Sequence, residues 1–354
     1  MDNEFYKGAQ LDDRAKEEKE KDYLFAETVI KTKPVSWVEK KQSEWRHFPI
    51  FNQDGSGSCV AQTLAKLTGI LYWLKNKTYV HFSATHIYQR RKNKPGSGMH
   101  GIDSLDIGRD GITLEELVPS QAMTDEEMDA IDIPDYKKKV GEVFRIGNYL
   151  VLPVKDIETV ASVIQTTGKA VMLWFYFNNS GEWVGVPEIK DPNLDISQAN
   201  RHSVAGVDAV MYEGKKAIII EDSWGSTFGF HGQRVITDDF FKARNFFAAY
   251  PINFKFDMKE KEPDNKPKYT FTKQLHFSPV FNIDEDVKIL QGILKYEGLF
   301  PQNIACTGYY GAITAKSVYK WQKKHTVADM AELNALGGRS CGPKTIAKLN
   351  NLYS

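Results

Sequence analysis

The stretch FNQDGSGSCVAQTLAKLTG, residues 51–69, decides how the rest of the chain is read. Cys59 stands directly after a Gly/Ser-rich turn. From there Val60, Leu64, Leu67, Leu71 and Leu74 recur at the i, i+4, i+7 spacing of a helix with one buried face. A helix beginning at Cys59 favours negative charge at its first turn, and so favours the thiolate, the nucleophilic form of the side chain. A thiolate alone cleaves no amide. It needs a base that returns a proton to the leaving amine, and donors aimed at the developing oxyanion. Gln53, six residues before Cys59, is placed to set its side-chain amide beside the Cys59 backbone N–H as such a pair.

The base candidate lies in NRHSVAGVDAVMYEGKKAIIIEDSWGSTFGFHG, residues 200–232. His202 opens a strand, Glu213-Gly214 supplies a tight turn, and the returning strand ends at Asp222. That hairpin brings His202 and Asp222 side by side, so the carboxylate can hold the imidazole in the tautomer that faces the sulfur. Trp224 is placed to cover the pair and exclude water. Each residue also has a plainer reading: a lone Cys at a helix start is usually a small buried hydrophobe, and a Trp after a strand is usually core. The combination carries the chemistry. His81, His86, His100 and His231 lack metal-ligand spacing with any acidic or Cys partner, so neither a metal nor a cofactor is expected. Gly96–Gly101 is a candidate lining for a substrate cleft.

Three motifs now stand in order: Asn52-Gln53 with Gly57-Ser58-Cys59, then His202-Ser203-Val204-Ala205, then Asp222-Ser223-Trp224-Gly225. Over roughly residues 34–254 the sequence resembles the papain-like cysteine peptidases. His202 and Asp222 follow Cys59 by 143 and 163 residues, the second a little beyond the family's spacing of about 130–150. The resemblance implies an α+β, two-lobed fold, helical lobe first and antiparallel β lobe second. It also implies a thiol endopeptidase with Cys59 as nucleophile, His202 as base, Asp222 as orienting group and Gln53 at the oxyanion. The chain departs from the family at Ser56, where a second Cys is usual, at Val60, where an aromatic lines the cleft wall, and at Asp222, where the family has Asn. Family members also carry a long inhibitory pro-segment. Only about thirty residues precede the mature-like Pro34-Val35-Ser36-Trp37 here, so zymogen-type inhibition is not expected.

Composition narrows the partners. The 46 Lys and Arg balance 46 Asp and Glu, which gives no whole-chain reason to expect nucleic acid or an acidic membrane surface. Three cysteines rule out a disulfide-stapled scaffold. The N-terminus, MDNEFYKGAQLDDRAKEEKEKDYLF, lacks the basic and apolar regions of a secretory signal, and no apolar run is long enough to span a bilayer. The expectation is a protein made in the cytoplasm without a signal peptide. Residues 1–33 read as a charged extension, of which 12–24 is a solvated helix or tail.

Residues 255–282 read as a linker centred on the Pro- and Lys-rich stretch 259–268, and residues 283–354 as a small three-helix module. Val287, Leu290 and Leu294 share one helix face that Gly298 stops. A second helix after Thr314 carries Val318 and Trp321, and Pro343 begins a third. Residues 280–354 hold nine Lys or Arg against six Asp or Glu, a mild positive excess. Leu290-Gln291, Gly308–Thr314, Val318–Gln322 and Gly342–Thr345 resemble the peptidoglycan-binding domain at the ends of many cell-wall hydrolases. The Gly-x-x-Thr of Gly311–Thr314 recurs at Gly342–Thr345, with the Thr expected to cap or start its helix. Exposed Tyr309, Tyr310 and Trp321 would then stack on sugar or peptide faces; the alternative is that these rings form the core of the bundle. Cys306 and Cys341 lie in equivalent loops, which leaves a bridge between them open.

Together the two resemblances imply a Cys-His-Asp endopeptidase directed to the bacterial cell wall. Its substrate would be a peptide or a peptidoglycan stem peptide. A phage lysin or virion-associated lytic enzyme would match, working at the wall within a virion beside other virion proteins or after lysis-associated release. Two rivals stand beside it. One is a protein-processing protease that uses the module only as an anchor. The other is a non-catalytic wall-binding or structural virion protein with a vestigial protease domain.

Overall fold

The computed structural model describes residues 8–15, 19, 33–178, 181–256, 267–280, 282–301 and 306–354. Most of the expected 12–24 helix or tail, and most of the 259–268 linker core, lie outside the described residues. The chain divides into two compact units, Met1–Lys255 and Phe256–Ser354.

In the first unit a helical half comes first, with α1 (Cys59–Asn76), α2 (Ala84–Tyr88), α3 (Gly101–Asp110), α4 (Asp125–Ala130) and α5 (Asp135–Glu142). Short strands β1 (Ala9–Gln10) and β2 (Met99–His100) pair in parallel, and β3 (Phe144–Ile146) follows the helices. The second half is a sheet of β4 (Tyr149–Val151), β5 (Val171–Phe177), β6 (Asn200–Tyr212), β7 (Lys215–Glu221), β8 (Gln233–Thr237) and β9 (Asn245–Pro251), in the order β4-β9-β5-β6-β7-β8. All of its pairings are antiparallel. Helices α6 (Ile157–Thr167) and α7 (Asp238–Arg244) pack on this sheet. Their apolar faces meet Leu173, Phe175, Val204, Ile218 and Ile220 in one core cluster. Glu213 and Gly214 both take positive φ, 48° and 75°, as the two-residue turn between right-twisted strands requires.

Helix α1 corrects an expectation. Its spacing predicts one buried face, yet every residue from Cys59 to Tyr72 is buried. Its polar residues are matched rather than solvated. Gln62 donates to Ser120 O at 2.9 Å, Thr63 Oγ1 to Cys59 O at 2.9 Å, and Lys66 reaches Glu221 at 2.8 Å. Burying such groups is tolerable only with partners of this kind. Val60 is also fully buried, so it belongs to the core and not to a cleft wall.

The second unit holds α8 (Glu285–Tyr296), α9 (Ala312–Lys324), α10 (Met330–Leu336) and α11 (Pro343–Tyr353), with Leu275–His276 pairing antiparallel to Ser340–Cys341. Among the described residues, then, the expected three-helix module is a unit of four helices with a small ribbon. Its start also moves. Residues 267–280, assigned above to the linker, belong to it, because Phe271 and Leu275 are core and Tyr269 N donates to Tyr353 O at 2.6 Å. A motif repeats at an interval of 31 residues. Gln291 donates to Tyr309 O and Thr314 Oγ1, and Gln322 donates to Ser340 O and Thr345 Oγ1, all within 2.8–2.9 Å. The two Thr residues sit inside their helices as receivers of this Gln; the N-cap positions are Gly311 and Gly342.

Candidate functional site

Two turns bring the site residues together. Asp54 and Gly55, both at positive φ, fold the loop back, and Gly57 lies so close to Ser97 and Gly98 that a Cβ there would strike both. Helix α1 then starts at Cys59, which is 1% exposed. Across from it His202 sits on β6, opposite Phe175 of β5. Ser203 Oγ donates to Thr63 Oγ1 at 3.0 Å, which ties the strand carrying His202 to the helix carrying Cys59.

Asp222 follows the end of β7 and is 1% exposed. Its Oδ1 lies 2.6 Å from His202 Nε2, and Cys59 is near enough to the same imidazole to raise its basicity. With Nε2 engaged by the carboxylate, the other ring nitrogen is the one left for the sulfur. Burial alone would lower the basicity of His202. The charge and hydrogen bond of Asp222, joined by Cys59, outweigh it and hold the imidazole at about 9. Burial would likewise raise Asp222, but the cations His202 and Arg234 and their hydrogen bonds hold its carboxyl well below the usual carboxylate range. Trp224 lies over the His202 ring, with centroids 4.9 Å apart, and Trp183 meets that ring edge-on at 5.9 Å.

Gln53 is 1% exposed and held at both ends of its amide. Ser223 Oγ donates to its Oε1 at 2.6 Å, and its Nε2 donates to Ser56 O at 2.6 Å, which leaves the second Nε2 hydrogen uncommitted. Ser56 closes this turn, with its Oγ donating to Gln53 O at 2.8 Å and lying 2.6 Å from Ser58 Oγ.

The tail aromatics do not meet the stacking expectation. Tyr309, Tyr310 and Trp321 are 7%, 2% and 1% exposed. Each polar tip is used internally: Tyr309 Oη donates to Ser278 O, Tyr310 Oη to Gly338 O, and Trp321 Nε1 to Glu297 Oε1. Tyr310 and Trp321 belong to the core of this unit, beside Phe271, Leu290, Leu294, Phe300 and Tyr353. Cys341 is a buried thiol 3.5 Å from Tyr310 Oη, pushed up to about 12 by burial, and not half of a bridge.

Three residues escaped the sequence reading. Arg234 donates from Nε to Asp222 Oδ2 at 2.7 Å, and Trp183 Nε1 donates to the same oxygen at 3.0 Å. The third is Gly8. Met99 N donates to Gly8 O at 2.8 Å, Gln10 Nε2 donates to Ser97 O at 2.9 Å, and Ala9 is fully buried. A Cβ at Gly8 would stand 2.6 Å from both Cys59 Sγ and Gly57 O. The N-terminal extension is thus not simply a solvated stretch, and the short length before Pro34 is no bar to covering the sulfur. A charged residue in the otherwise apolar Val235-Ile236 strand was a usable signal for Arg234. Neither Trp183 nor Gly8 had one.

No protein-family model matches the sequence, and no curated protein matches it. The class defined by the fold is the mixed helix-and-sheet architecture of papain-like proteases. Among solved structures the chain is similar to xylellain, a cysteine protease from Xylella fastidiosa, with 17% identity, a TM-score of 0.50, and coverage of 65% of this chain and 100% of that one. It is also similar to digestive procathepsin L 3 of Tenebrio molitor larval midgut, at 18% identity and a TM-score of 0.47 over 58% of this chain and 66% of that one. The proform of the ragweed pollen allergen Amb a 11, a cysteine protease, matches at 18% identity and a TM-score of 0.47, over 64% of this chain and 67% of that one. The chain thus spans about two thirds of the length of the first of these proforms. Likeness at such identities speaks to the fold.

Proposed function

We propose that the first unit is a cysteine peptidase that hydrolyses peptide bonds through Cys59, His202 and Asp222. One observation carries this reading: a buried imidazole held by Asp222 Oδ1 at 2.6 Å, beside a Cys59 close enough to act on its basicity. His202 takes the thiol proton and the sulfur attacks the amide carbon. As the C–N bond breaks, His202 returns the proton to the leaving amine. Water activated by His202 then hydrolyses the thioester. The Cys59 N–H belongs to the first turn of α1, where backbone donors lack intrahelical acceptors, and it would receive the oxyanion together with the uncommitted Gln53 N–H. Gly8–Gln10 must leave before a substrate reaches the sulfur.

The proposal extends to the bacterial wall as the site of action, with stem peptides of peptidoglycan as substrate and a lysin or virion-borne role. Support comes from the repeated Gly-x-x-Thr turns and mild positive charge of the tail. Anchoring would raise the local substrate concentration. With Tyr309, Tyr310 and Trp321 buried, any wall contact falls to other residues. The test incubates Gly8→Val, which opens the segment over the sulfur, and Gly8→Val/Cys59→Ala with casein and with purified peptidoglycan, and maps new amino termini. Cys59-dependent termini in peptidoglycan support the full reading. Termini in casein alone leave a protein-processing peptidase. Absence of any Cys59-dependent product, together with retention on sacculi, would leave a binding or structural protein.

A further inference from the structure

Asp222 carries more than its partnership with His202. Its Oδ1 serves the imidazole and also accepts from Ser223 N at 2.7 Å, while Oδ2 receives Arg234 Nε at 2.7 Å and Trp183 Nε1 at 3.0 Å. Arg234 is 2% exposed. Its Nη1 donates to Trp183 O at 3.0 Å, and its guanidinium lies 5.5 Å from the Trp183 ring centroid and 5.3 Å from that of Trp224. Asp222 is the only carboxylate it pairs with among the described residues. The neighbouring acids are otherwise engaged, Glu221 with Lys66 and Glu182 with Arg244. The charged and titratable groups facing Asp222 are therefore His202 from β6 and Arg234 from β8, with Cys59 of α1 beyond the imidazole. The loop around Trp183 and the turn around Trp224 contribute uncharged rings and the Ser223 N–H.

A carboxylate in a dry site holds an adjacent imidazolium strongly, because attraction between charges grows as the dielectric falls. That is a hazard for a base that must also give its proton away. A second cation on the far oxygen offsets it. We propose that Arg234 is a positioning residue for the Cys59–His202 chemistry: through Nε it fixes and neutralises Asp222, so that the Asp–Arg pair presents a neutral acceptor to the imidazole and His202 is oriented without its proton being trapped. This rests on the peptidase reading above.

The experiment titrates the thiolate absorbance of the full chain, each variant measured against its own Cys59→Ser form, beside kcat and KM on a peptide substrate in the Gly8→Val background. Arg234→Met is expected to move the alkaline end of the thiolate–imidazolium titration up by about one pH unit, a tenfold change in the protonation constant. It should lower kcat by about tenfold and leave KM within about twofold. Asp222→Asn strands a buried guanidinium, whereas Asp222→Asn/Arg234→Met is neutral throughout and should titrate and turn over closer to the parent than either single variant. An Arg234→Met protein that is less thermostable yet titrates at the parental pH would make Arg234 structural only and overturn the proposal. So would a double variant worse than both singles. Should Arg234→Met fail to fold, Asp222→Asn is compared with the double variant. The unpaired cation should end its titration at lower pH, and equal titrations overturn the proposal. Absence of Cys59-dependent turnover would count against the peptidase reading and leave the absorbance titration to decide the role of Arg234.

Discussion

The segment over the sulfur yields the sharpest prediction. Replacing Gly8 by Val adds a Cβ that would stand 2.6 Å from Cys59 Sγ and from Gly57 O, about 1 Å inside ordinary contact distance. One of those neighbours is backbone, so the segment must lift. The contacts that hold it include two hydrogen bonds, Met99 N to Gly8 O and Gln10 Nε2 to Ser97 O, the parallel pairing of β1 with β2, and the buried methyl of Ala9. At about 1 kcal/mol per hydrogen bond and about 0.8 kcal/mol for the methyl, the gross hold is about 3 kcal/mol. That corresponds to roughly a hundredfold occlusion of the sulfur. The β1–β2 pairing adds to this hold, and the backbone freedom lost on ordering three residues, about 1–2 kcal/mol each, subtracts from it, so roughly a hundredfold is the order to expect.

The assay is the second-order rate of Cys59 alkylation by iodoacetamide, followed by peptide mapping so that Cys306 and Cys341 are scored separately. Gly8→Val should speed Cys59 labelling by a few-fold up to about a hundredfold. Gln10→Ala, which removes one hydrogen bond, should give about fivefold at most. Cys341 labelling in the same samples should not change, since its burial lies in the second unit. A folded Gly8→Val protein whose Cys59 labels at the parental rate would refute the reasoning, because the sulfur would then be reached without the segment moving.

Other consequences follow from particular contacts. Gln53→Ala should lower kcat by about 10²–10³ with little change in KM, since the lost donor acts on the developing oxyanion; a change confined to KM would remove it from that role. His202 is held above its ordinary value, at about 9, so its contribution to stability is complete below about pH 6.5 and disappears as pH rises through about 9. The thermal midpoint should therefore fall across that window in the parent and fall less in His202→Gln. Asp222, held low, contributes stability that persists to strong acid and is lost only below its ordinary range. In the second unit, Gln291 Oε1 accepts from Gly308 N at 2.9 Å, whereas Gln322 Oε1 is buried without a partner. Gln291→Leu should thus destabilise more than Gln322→Leu, by about 1 kcal/mol in a chemical denaturation series, and the reverse order would contradict the bonding pattern.

The difference between what the sequence reveals and what it conceals has a physical basis. Cys59, His202, Asp222 and Gln53 are legible because each chemical role restricts residue type. The turn before Cys59 and the hairpin between His202 and Asp222 have local signatures in Gly and in alternating apolar runs. The hairpin strands follow the same local pattern: β6 begins two residues before His202, and β7 ends one residue before Asp222. Burial around α1 is different. Whether Gln62 or Lys66 faces water depends on Ser120 and Glu221, which lie 58 and 155 residues away, and periodicity within the helix carries no trace of them. Of the two readings of the tail aromatics, the core one holds, for a related reason. A Tyr on a loop is exposed in a large domain, but a unit of about a hundred residues has so little interior that loop rings are drawn into it.

Arg234 and Gly8 show where such reading ends and what would extend it. A buried charge needs a buried counter-charge, so Gln233–Thr237, buried at all five positions yet containing an arginine, implies a carboxylate on a facing element. Asp222 is that carboxylate. The acid and the cation beyond it belong together, since either alone would leave a net charge in a dry site. No comparable rule finds Gly8. Its only requirement is the absence of a side chain against Cys59, and a missing atom leaves no pattern in a sequence until the opposing surface is known.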